Sequence, residues 1–372
     1  MAATTARVPD PPRPAPRMPA WTWVIPVLAM VLLAAASFAG VGLALAVVCG
    51  AGLVGAVIAA VHHAEVIAHK VGEPFGTLVL AVAVTVIEAS LILSMMLAGG
   101  AELATLPRDT IYAAVMIICN GVVGICVLIG GIAHREQSFR VEGSGAGLAA
   151  LIVMSALSLV LPIFTTTTPS GTYSLSQLAF VAVAATALWA IFVFVQTVRH
   201  RDYFLPVASA SNPGAHAEPP TGRQAAASFV LLAVSLVAVV GLAKMLSPGI
   251  ERAVASAGAP RAVVGIVIAM LVLLPETWAA ARAAHANRLQ TSINLAIGSA
   301  LASIGLTIPV VVLATVMFDI PLVLGLDPKD LVLLAVTFLV SAVTLGSGRT
   351  HLMHGAVHLV MFAAFLELAF VP

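Results

Sequence analysis

Charge is what this chain has least of. Asp, Glu, Lys and Arg make up 9% of its 372 residues, whereas a soluble globular protein carries about 25%. That leaves too little polar surface to coat a water-facing fold. The 17 basic and 16 acidic residues balance to a net charge of +1, so neither sign is in the excess that binding nucleic acid demands. Cysteine is scarce too: Cys49, Cys119 and Cys126 lie in apolar runs without a CxxC pair, which excludes a disulfide framework and a zinc knuckle. No Ser/His/Asp grouping has nucleophile-elbow spacing. The turn GEPFG at 72–76 is not followed by Gly-Lys-Ser/Thr, so it is no phosphate loop.

What the sequence has in abundance is apolar length, with 61% hydrophobic residues and a mean hydropathy of +1.10. A spanning helix needs about 20 apolar residues. By that measure eleven spans are expected near 21–39, 41–61, 74–98, 111–132, 147–164, 176–198, 225–246, 261–281, 292–316, 330–346 and 352–371. The runs are continuous rather than alternating, which selects helices over a barrel. The expected fold is therefore an all-α polytopic membrane protein. With the N-terminus in the cytoplasm, only Arg108, Lys244, Arg252, Arg261 and Lys329 of the 17 basic residues fall outside, as the positive-inside rule requires. Residues 1–20 read as a disordered Pro-rich cytoplasmic tail rather than a signal peptide, because a full span follows with no cleavage site.

One long polar stretch, 199–224, is rich in Pro, Ala, Gly and Ser and reads as a cytoplasmic linker. It separates five spans at 41–198 from five at 225–372, leaving 21–40 as an extra N-terminal span. An odd-numbered repeat enters the membrane the opposite way the second time, and inverted repeats of this kind characterise secondary transporters.

Two carboxylates have no polar excuse. Glu88 lies inside TLVLAVAVTVIEASLILSMML and Glu276 inside AVVGIVIAMLVLLPETWAAARAA, each in the second span of its five. An ionisable group in the hydrocarbon costs roughly 2.5–3.5 kcal/mol on insertion scales, and it marks an ion path or a cavity. Opposed helices bring two such residues to similar depth. Pro275 removes a backbone donor beside Glu276 and is expected to break or kink that span. The following segments also match: ICNGVVGICVLIG (118–130) aligns with AIGSALASIGLTIP (296–309), setting Asn120 against Ser299 and Gly124 against Ser303. Small residues let helices approach, and side-chain oxygens are ligands for hard cations. The expected cation- and proton-binding set is Glu88, Glu276, Asn120, Ser299, Ser303 and Thr85, with the two glutamates as ligands of the transported metal ion. Two neighbouring carboxylates in a low dielectric resist ionisation, so protons and cations compete for the same oxygens. That competition is the chemistry of an antiporter that needs no cofactor.

The stretches VHHAEVIAHKVGEPFGTLVLAVAVTVIEASLI and LLPETWAAARAAHANRLQTSINLAIGSALASIGLTIPV resemble the two signature regions of the calcium/proton exchanger (CAX) family, within the cation/calcium exchanger superfamily. The likeness is nearest to the bacterial ChaA-type branch of calcium, sodium or potassium–proton antiporters. It implies an acidic cation ligand in each signature, here Glu88 and Glu276, and a site lined near Asn120 and Ser299. It also implies that spans 2 and 7 form a sliding gate with Glu65 at its cytoplasmic end, in the cell inner (plasma) membrane. The chain departs from the family where Val84-Thr85 and Val272-Leu273 replace the Gly-Asn that precedes each acid in calcium-selective members. Sodium and potassium therefore stand beside calcium as expected substrates.

Two histidine groups need their own reading. His62, Glu65 and His69 have i, i+3, i+7 spacing, which puts them on one helix face. They are expected as a wet, titrating helix end, ahead of a pH-sensing gate and of the metal site that an intramembrane metalloenzyme would use. His351, His354 and His358 repeat the spacing and are expected as interfacial side chains packed against neighbouring spans, ahead of a proton relay. A cation channel is the other rival to exchange.

Overall fold

The computed structural model describes residues 18–39, 42–72, 75–205, 220–256, 258–260 and 262–371. Most of the expected tail and the centre of the expected linker lie outside the described residues. Among the described residues twelve α-helices follow one another: α1 Trp21–Ala39, α2 Leu43–Val71, α3 Phe75–Gly99, α4 Leu106–Met116, α5 Val123–His134, α6 Val141–Ser155, α7 Leu175–Phe194, α8 Gly222–Ser256, α9 Ala262–His285, α10 Leu289–Phe318, α11 Pro328–Gly346 and α12 Leu352–Phe370. A π-helical turn at Ile117–Val122 joins α4 to α5 in one rod. Among the described residues nine helices are long and apolar enough to cross a membrane, and ten with the bent α9; the apolar part of α3, Ala81–Leu97, is shorter. The expected positions hold, but α2 runs ten residues beyond its expected end, because the VHHAEVIAHK run stays helical.

Helix ends follow local chemistry. Ser174 caps α7 in a reciprocal box with Gln177, the Ser-x-x-Gln pattern that satisfies two orphan amides. His351 does the same for α12, accepting from the amide of Met353 while His354 reaches back to its own amide. This assigns two histidines of the second group, His351 and His354, to capping.

Packing places the polar residues centrally. α10 touches α3, α6, α7 and α9, and the α4–α5 rod lies against α9 and α12. α2 runs along α8, with α1 beside both. The outer helices turn apolar side chains away from the protein, Phe38 being 92% and Val183 70% exposed, as a lipid solvent requires. Glycine allows a close approach here: a Cβ on Gly355 of α12 would stand 2.5 Å from the Leu128 amide nitrogen on α5.

The two ends are tied differently. At one end β1 Glu136–Ser138 pairs antiparallel with β2 Arg349–His351, Gln137 opposite Thr350. There Gln137 Nε2 donates to Ala284 O at 2.8 Å and Asn294 Nδ2 donates to Phe204 O at 2.6 Å. At the other end Arg108 donates to Asp109 and to Gly325 O, both at 2.8 Å, and lies 3.8 Å from Asp327.

Candidate functional site

The deepest acids in the sequence are also deep in the fold. Glu88 on α3 is 3% exposed and Glu276 on α9 is 4% exposed. Both are served by α10. Ser303 Oγ donates to Glu88 Oε1 at 2.7 Å, and Ser299 Oγ donates to Glu276 Oε2. The two serines are four residues apart, so they lie about 6 Å apart along one helix face. That face sets the carboxylates roughly one turn apart, and their charges are within electrostatic reach of each other.

Glu276 is delivered by a break in its helix. Ala262–Leu274 and Glu276–His285 meet at 51°, where Pro275 lacks the amide that would continue the hydrogen-bond ladder. Glu276 and Ser299 line a small cavity with Ile118, Val122, Leu273, Ala280, Leu295 and Ala296. The second carboxylate oxygen, Glu276 Oε1, is buried and has no hydrogen-bond partner. A buried acceptor left in that state costs about 1–3 kcal/mol, and more when charged. Such an oxygen is where a proton or a cation would bind.

The remaining expected residues separate. Thr85 is buried one turn before Glu88, but its hydroxyl donates to Ala81 O at 2.8 Å, so it bonds its own helix. Asn120, in the π turn, hydrogen-bonds Thr337 at 2.9 Å and His358 at 3.4 Å, on the side of α11 and α12. Its hydrogen bonds therefore reach neither carboxylate. Gly124, the counterpart of Ser303, faces Leu359 and His358 of α12.

Around α2, His62 and Glu65 are half-buried and His69 is exposed. Arg282 on α9 is within electrostatic reach of Glu65. The metal reading fails here: among the described residues no three His, Cys, Asp or Glu side chains gather into a metal site. Helical rise explains this, since seven residues carry His69 about 10 Å along the axis from His62. The unflagged neighbour His63 is the buried one, bonded to Thr22 O at 2.9 Å and Ser228 Oγ at 3.2 Å. It ties α2 to α1 and α8.

His358 is fully buried against neighbouring helices, bonded to Asn120 and Thr344. Its spacing from His351 gave no warning, since only the helix-to-helix packing decides which turn of α12 is covered. Ser303 as the partner of Glu88 was likewise invisible as a pairing, being 215 residues away in sequence.

Comparison with known proteins adds one decisive fact. The family profile described as sodium/calcium exchanger protein matches residues 41–198 and 227–371. The chain belongs to that family. The exchanger is also 46% identical over 95% of its length to "Putative ionic transporter y4hA" of Sinorhizobium fredii, covering 97% of that protein. It is 32% identical to the sodium-potassium/proton antiporter ChaA of Escherichia coli, over 93% of this chain and 95% of ChaA. Among solved structures it matches the H+/Ca2+ exchanger CAX with a TM-score of 0.72 at 15% identity, over 93% of this chain and 87% of that one. The exchanger is thus a membrane transporter rather than an enzyme, and both the metalloenzyme and the channel readings fall away.

Proposed function

We propose that this exchanger carries a cation across the cell inner membrane against protons, by alternating access at a site made of Glu88 and Glu276. One observation carries the reading: Glu276 lines a small cavity and its Oε1 is buried without a hydrogen-bond partner, while a second carboxylate, Glu88, is held by the same face of α10. Either two protons or one divalent cation neutralises the pair. The empty, doubly charged site is the form that low dielectric opposes most strongly, so it is the form that reorients least. Exchange follows from that ordering. The hydroxyls of Ser299 and Ser303 hold the carboxylates in place and can turn their oxygen lone pairs to a bound ion.

Calcium is the first substrate in this proposal, because its double charge matches two carboxylates. Sodium or potassium is the second reading, favoured by the ChaA relative, which is named as a sodium-potassium/proton antiporter. The same proposal takes 41–198 and 225–372 as inverted repeats, with 1–20 and 199–224 on the cytoplasmic side. Its support is that exchanging the halves turns the α3–α10 packing into the packing of α9 against the α4–α5 rod. The long α2–α8 contact is the sliding gate, with Glu65, His62 and His69 at its cytoplasmic end.

Purified protein in liposomes, given an imposed pH gradient and calcium, sodium and potassium in turn, tests the proposal. Cation uptake that collapses the gradient is expected, and it should vanish in Glu276→Gln and in Glu88→Gln. Full flux in either variant, or uptake indifferent to the gradient, would overturn it.

A further inference from the structure

Behind the carboxylate cavity lies a second buried polar cluster, built on the π turn Ile117–Val122. Asn120 Nδ2 donates to Thr337 Oγ1 at 2.9 Å, and Thr337 Oγ1 donates to Met116 Sδ at 3.4 Å. Asn120 Oδ1 has no hydrogen, so at its 3.4 Å contact the donor is His358 Nδ1. His358 Nε2 is hydrogen-bonded to Thr344 Oγ1, 3.0 Å away. The chain links Thr344, His358, Asn120, Thr337 and Met116. All its hydroxyl, amide and imidazole groups are buried.

The π turn at Ile117–Val122 has two faces. Asn120 points to α11 and α12, while Ile118 and Val122, two residues to either side, line the cavity with Glu276 and Ser299. α12 reaches the turn because Gly124 leaves room: a Cβ there would lie 3.1 Å from His358 Cβ.

Resting on the site proposed above, we infer that His358 is a positioning residue for exchange. It fixes Asn120, and through Asn120 it fixes the π turn that forms one wall of the Glu276 cavity. His358 sets how closely that wall fits the ion without touching the ion. Asn120 is then the anchor of the wall rather than a ligand.

The test compares wild type, His358→Leu, His358→Asn and Glu276→Gln as full chains in liposomes. KM and kcat are measured for whichever of calcium, sodium and potassium the wild type carries. Supporting groups around a metal site are worth about 10–100-fold in affinity, so His358→Leu is expected to raise KM about tenfold with kcat largely kept. Asparagine places an amide donor where Nδ1 stands, so His358→Asn should recover most of the loss. A wild-type KM in His358→Leu, or equal defects in the Leu and Asn variants, overturns the inference. If His358→Leu fails to fold, Thr344→Val removes only the hydroxyl that is hydrogen-bonded to Nε2; an unchanged KM there overturns the inference equally. Glu276→Gln separates the two readings. If it transports normally, the site itself is wrong; if it is inactive while His358→Leu is normal, only the positioning role falls.

Discussion

The segments 118–130 and 296–309 align in sequence, yet they put their polar residues to different uses. On α10, Ser299 and Ser303 each hold a carboxylate. On the π turn and α5, Asn120 turns to α11 and α12, and Gly124 makes space for α12. From the first segment, Ile118 and Val122 line the cavity that holds Glu276. Segments that align in sequence therefore need not share chemistry. One presents hydroxyls that hold the carboxylates, and the other lines the Glu276 cavity with aliphatic side chains.

That contrast can be broken at several points. The largest effect belongs to the acids, where Glu88→Gln or Glu276→Gln is expected to abolish proton-coupled uptake in liposomes while the protein still elutes as a folded species in detergent. Next comes pH. If protons and cations compete for one pair of carboxylates, raising the pH removes the competitor, so the apparent KM for the cation should fall as the pH on the binding side rises. A KM independent of pH would contradict competition.

The serines give the sharpest form of the comparison. A hydrogen bond to a charged group is worth about 1.5–3 kcal/mol, so Ser299→Ala and Ser303→Ala should each weaken cation affinity by at least about tenfold. Asn120→Ser, which keeps a hydroxyl but not the reach to His358, should show a smaller loss. Equal losses at all three positions would mean that both segments ligate after all. The smallest effect is expected at the end of α2, where His62→Gln with His69→Gln should shift the pH dependence of transport and leave its maximal rate intact.

Much of the fold was legible along the chain. The spans could be read because lipid cannot hydrogen-bond a peptide group, so every crossing segment has to be a long apolar helix. Glu88 and Glu276 stood out for the same reason, since a carboxylate in an apolar run is costly wherever the helix is placed. The π turn was not legible. Nothing in ICNGVV marks the extra residue, and the alignment of Asn120 with Ser299 holds in sequence while their side chains point to different neighbours. The histidines show the same limit: His62 and His63 are adjacent in sequence, but His63 is buried and hydrogen-bonded to α1 and α8, while His62 is half-buried against Trp21.

The sequence by itself determined that this is a helical membrane protein with two buried acids, because hydropathy and charge cost are properties of a segment and need no partner to be evaluated. Tertiary structure alone decided which hydroxyl meets which acid, which oxygen of Glu276 is left without a partner, and which histidine is enclosed. Those outcomes depend on the rotation and depth of one helix against another. In lipid these are set by close contacts between small residues, spread over helices far apart in the chain.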